Sequence, residues 1–130
     1  MDMLEAPEGF VRADGYGLYR PADRTVHVGE LIELSYEATR YAREQNIARQ
    51  VLDIRRLTGF GIPNISDRFE FSQRLAGASQ AMVKVVVVCP VEVIDKTGFG
   101  LSVARNRGLT AERFASEQAA LAWLLDHNTG

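Results

Sequence analysis

The run Val83-Lys84-Val85-Val86-Val87-Val88-Cys89, closed by Pro90, constrains this chain more than any other stretch. It is β-branched and has no polar alternation. An alternating strand has one wet face; an unbroken apolar strand is covered on both. The run therefore predicts a central strand of a sheet with helices on both sides. In a chain of 130 residues, that sheet belongs to one domain.

The flanking segments supply those helices. Val28, Leu31, Ile32, Ser35, Ala38 and Ala42 recur at three- and four-residue steps, predicting a helix from Val28 to about Gln45, ended by Asn46. A second helix is predicted from about Asn64 to Ser79 after Pro63, with Asp67 and Glu70 favouring its first turn. A third fits roughly 97–107, ended by Gly108, and a fourth opens at Ser116 with Ala119, Ala120, Trp123 and Leu124 as its apolar stripe. Strands are predicted near 10–13 and 16–20 around Asp14-Gly15, at 50–54, and at 112–114. The order reads β-β-α-β-α-β-α-β-α. Such alternation implies an α/β domain with a mostly parallel, four- to five-stranded sheet. Leu52, Val85, Val87, Phe99 and Trp123 are expected in its core.

Composition narrows the function classes. A formal net charge of −2 argues against nucleic acid as a partner. No run of 18 apolar residues is present, so no membrane span is expected. MDMLEAPEGF lacks a basic region and an apolar region, so no secretory signal is expected either. Cys89 is the single cysteine, which fits a reducing compartment and a cytoplasmic location. With His27 and His127 the only histidines, neither a metal site nor another cofactor is expected.

One motif occurs twice: Thr58-Gly59-Phe60-Gly61 and Thr97-Gly98-Phe99-Gly100. Each follows an apolar strand and precedes a helix. A phosphate loop would continue into Gly-Lys-Ser/Thr, and a dinucleotide fingerprint needs a third glycine; neither copy has these. The bland reading is a structural turn, with Phe plugging the core edge. The functional one is a binding surface at the carboxyl ends of the strands, where open α/β sheets meet ligands and partners.

An ordered set of pieces carries a resemblance: Asp53, Thr58-Gly59-Phe60, Pro63, Ser66, VVVVCP, FGLSVARNRGL, Phe114 and AALAWLL. It resembles the small bacterial STAS-like proteins, relatives of the anti-sigma-factor antagonists, whose fold is also compared with the lipid-binding CRAL–TRIO domain. The resemblance implies a non-catalytic regulatory module that binds a protein partner or, as the alternative, a carrier of a small apolar, lipid-like molecule. In true antagonists, an Asp-Ser-Ser/Thr-Gly stretch carries a phosphorylated serine. Here the matching region is Asn64-Ile65-Ser66-Asp67-Arg68, and only Ser66 matches the acceptor.

Ser66 thus reads as a phosphoacceptor or as a helix cap. Asp53 reads as a loop cap, a base or a ligand. With Thr58, Gly59, Phe60, Asn64, Lys96 and Thr97 it makes up the expected interaction surface. Cys89 reads as an inert buried thiol, since no histidine is placed to activate it. Arg105 and Arg107 suit a helix C-terminus.

Overall fold

A computed structural model describes residues 5–126. Its main sheet has five strands in the order β1-β2-β4-β6-β7. These are β1 (Phe10–Ala13), β2 (Tyr16–Tyr19), β4 (Arg49–Asp53), β6 (Lys84–Val88) and β7 (Ala111–Phe114). A second sheet pairs β3 (Arg24–Thr25) with β5 (Leu57–Thr58). The helices are α1 (Val28–Glu44), α2 (Ile65–Ser79), α3 (Phe99–Asn106) and α4 (Glu117–Leu124), and a 3-10 turn spans Val91–Val93.

The hairpin β1–β2 is antiparallel and closes with Ala13 opposite Tyr16. Asp14 and Gly15 form its turn, and Gly15 takes the positive φ of +85° that such a turn needs. All other neighbours in the main sheet are parallel. From β2 to β7 the chain steps across the sheet in one direction, with a helix in each step.

Alternation along the strands separates two cores. Tyr19, Leu52 and Val85 pack with Ala38, Ala42, Leu75, Ala76 and Ala104, so α1, α2 and α3 cover one face. Val51, Val86 and Val88 pack with Ala120 and Leu124, so α4 covers the other. The valine run is thus the doubly covered strand that its sequence predicts.

Three expectations need correction. The short pair β3–β5 adds two strands to the predicted order; two-residue strands have no periodicity to read. Phe99 is 36% exposed rather than core, because it opens α3 at the surface. Val87 and Trp123 are half-buried. On α4 it is Ala120 and Leu124, four residues apart, that meet the sheet; Trp123 lies to one side under the Lys84 ammonium, 4.5 Å from its ring centre.

Among the described residues, no helix is long and apolar enough to cross a membrane.

Candidate interaction face at the carboxyl end of the sheet

Parallel strands bring the carboxyl ends of β2, β4, β6 and β7 to one end of the sheet. Both TGFG segments lie there, but they do different work. In the first copy, Gly59 has φ +88°, and an added Cβ would sit 2.5 Å from Thr25 Cγ2. Only glycine lets this loop press against β3. Phe60 is half-buried against the cluster of Val26, Leu31, Ile54, Leu57 and Cys89. Thr58 belongs to β5 and pairs with Thr25.

In the second copy, Gly98 is the N-cap of α3, with φ +73°. Gly100 lies against α2, where a Cβ would stand 3.2 Å from Ser72 Oγ. Phe60 plugs a core edge; Phe99 does not. The repeat is one tetrapeptide serving two local needs.

Asp95 organises the second loop. Its Oδ1 accepts from the Thr97 amide at 3.0 Å and the Thr97 hydroxyl at 2.7 Å, and its Oδ2 accepts from the Phe99 amide at 3.1 Å. The Thr97 hydroxyl bond leads the causes that hold this carboxyl below its usual range. Lys96, between them, is exposed.

The start of α2 corrects the reading of Ser66 as a cap. Asn64 is the N-cap: its Oδ1 accepts from the Asp67 amide at 2.8 Å, and Asp67 Oδ2 accepts from the Asn64 amide at 3.0 Å. This reciprocal pair satisfies the free donors of the first turn. Ser66 is the second helical residue, exposed, on the ridge between two shallow grooves. One groove is walled by Pro63, Ile65, Arg68, Asp95, Thr97 and Phe99. The other is walled by Tyr36, Phe69, Gln73 and Arg74.

Large apolar side chains surround this ridge. Ile65 is 70% exposed, Phe69 39% and Phe99 36%, and each lines one of the two grooves. Scattered exposed apolar residues are ordinary; a contiguous group is a mark of an interaction surface.

Asp53 stands apart from these grooves. It is 1% exposed and accepts from Arg20 Nε at 2.8 Å, from Arg55 Nε at 2.9 Å and from Arg55 Nη2 at 2.7 Å. Arg20 also reaches Glu117 at the start of α4. Burial pushes the Asp53 carboxyl up, but the arginine hydrogen bonds outweigh it and hold it at about 2. A carboxylate held so firmly ionised is a poor base; its place is structural, tying β2, β4 and α4 together. The expected surface therefore divides. Asn64, Ser66 and Thr97 share the face, with Lys96 beside Thr97; Thr58, Gly59 and Phe60 line the β3 side; Asp53 lies in the ion cluster.

Cys89 is buried, and burial pushes its thiol up to about 11, which leaves it protonated and weakly nucleophilic near neutral pH. Among the described residues, no group of three His, Cys, Asp or Glu side chains could hold a metal ion.

Sequence reading misses Arg68 and Arg113, which brace the loops. Arg68 donates to the carbonyls of Pro63 and Val93, and Arg113 donates to the carbonyl of Asp95 at 2.7 Å. Nothing local marks either arginine, because the Val93 and Asp95 carbonyls that they reach lie 25 and 18 positions away.

No family model matches the chain, and the comparisons with curated proteins and solved structures found no match. The class that the geometry defines is an α/β domain with a mostly parallel five-stranded sheet and four helices.

Proposed function

We propose that this chain is a STAS-like regulatory protein-interaction module, and that the ridge carrying Ser66 is its docking face. The observation that carries the reading is the group of exposed apolar side chains, Ile65, Phe69 and Phe99, around a surface hydroxyl. Apolar side chains bring affinity on burial, and a hydroxyl among them gives a kinase a place to cancel it. A phosphate on Ser66 lies in the first turn of α2, where the helix dipole favours negative charge, so the fold tolerates it. The same charge makes the apolar face costly to bury.

The alternative, a lipid-like cargo, finds less support. The apolar cavity between the helices and the sheet measures about 130 Å³. Sites for drug-sized ligands run to roughly 300–1,000 Å³. A cavity of the observed size holds no long acyl chain.

Pull-down from the source cell with native mass spectrometry, using wild type beside Ser66→Asp, tests the proposal. A protein captured by wild type and lost with the Asp variant supports it. Equal capture by both removes Ser66 from the contact.

A further inference from the structure

The cavity of about 130 Å³ lies between α1–α3 and the sheet, and shares Pro63, Arg68 and Asp95 with the groove beside Ser66. It is a half-open recess rather than a sealed void, so a guest can enter it. Its deep wall is apolar and fully buried: Leu31, Leu75, Val85, Ala104 and Leu109 are each 3% exposed or less. An engineered apolar cavity of about 150 Å³ takes up benzene or xenon, which sets the size of an occupant.

The rim is charged, yet its charges are engaged within the protein. Arg68 donates to the carbonyls of Pro63 and Val93. Arg113 donates to Glu112 and to the Asp95 carbonyl. Asp95 accepts from Thr97 and Phe99, and Asp67 pairs with Asn64. A charged ligand would have to break one of these pairings to gain a counter-ion. Two small polar groups differ: the Ser72 hydroxyl and the Cys89 thiol line the cavity, and neither has a hydrogen-bond partner among the described residues. Each can meet one hydroxyl or carbonyl of a guest.

We infer that this cavity is a binding site for one compact, uncharged, largely apolar molecule, the size of a single six-membered ring with at most one hydroxyl or carbonyl. This site does not depend on the docking proposal. Asp95 on its rim also walls the groove beside Ser66.

Amide chemical-shift titrations with benzene, phenol, benzoate and decanoate test the inference. Benzene and phenol should give saturable shifts at Leu75, Val87, Leu101 and Ala104. Benzoate and decanoate should give none there. Val87→Phe, which fills the cavity from the sheet side, should weaken phenol at least ten-fold. Ala104→Leu fills it from α3 and serves where Val87→Phe does not fold. Absence of saturable shifts with both neutral rings in wild type overturns the inference. So does undiminished phenol binding in a folded cavity-filling variant, or benzoate or decanoate binding there as tightly as phenol.

Discussion

The guanidinium of Arg68 donates to the carbonyl of Val93 at 3.0 Å, while its Nε donates to the carbonyl of Pro63 at 3.2 Å. One side chain from α2 thus holds the loop before its own helix and the 3-10 turn after β6. The groove beside Ser66 lies between the first of these segments and residues 95–99, which follow the second. Replacing Arg68 by Met keeps much of the apolar stem and removes both bonds. Hydrogen bonds to charged groups contribute about 1.5–3 kcal/mol each when buried, and less at this half-exposed site. Arg68→Met should lower stability by about 1–3 kcal/mol in urea unfolding. Arg68→Lys should rescue little, because an ammonium lacks the fork that spans both carbonyls.

Asn64 and Ser66 can be told apart by their stability effects. Asn64→Ala removes the cap and should cost about 0.5–2 kcal/mol. Ser66→Ala touches an exposed hydroxyl with no capping bond and should change stability by less than about 0.5 kcal/mol. Chemical denaturation of both variants checks the assignment; the reverse order of effects would return the cap to Ser66.

The Asp53 cluster predicts an acid response. Its carboxyl titrates at about 2 in the folded protein, below the usual value of 3.8. A depressed carboxyl stabilises the fold above its unfolded pKa, and this contribution fades as pH falls from about 4 to about 2. Stability measured across that window should decline, with about 2 kcal/mol of the fall due to Asp53. Asp53→Asn should flatten this part of the profile. It should also destabilise the protein at neutral pH, since two arginines lose their carboxylate.

Gln50 is fully buried on β4, and among the described residues neither its Nε2 nor its Oε1 has a hydrogen-bond partner. An unpaired buried amide costs about 1–3 kcal/mol. Gln50→Met is close in shape and removes the polar atoms, so it should raise the melting temperature. A lowered melting temperature would mean that the amide contributes to the fold in another way.

Much of the fold was legible because the strong periodicities were unambiguous. The valine run required two covered faces, and the six-residue stripe on α1 required one. The β3–β5 pair was not legible, since Arg24–Thr25 and Leu57–Thr58 are too short to alternate. The capping pair was present in the letters, as Asn64 followed three residues later by Asp67, yet the nearby Ser66 reads equally well as a cap until the first turn is seen. Phe99 looked like core because its tetrapeptide repeats that of Phe60. Whether a phenylalanine plugs an edge depends on the helix beneath it, which the repeat does not encode. The Arg68–Val93 and Arg113–Asp95 bonds join residues 25 and 18 positions apart and left no local signal.

The docking face is tested most directly by the affinity of the captured partner for single-charge variants. Ile65→Asp and Phe99→Asp place a carboxylate on the apolar ridge. Met82→Asp places one on Met82, 65% exposed, just before β6 at the opposite end of the sheet. All three sites are exposed, so the melting temperatures should stay close to wild type. Calorimetric titration should show Ile65→Asp and Phe99→Asp weakened at least ten-fold, about 1.4 kcal/mol or more, with Met82→Asp unchanged. Wild-type affinity in both ridge variants would contradict the docking face.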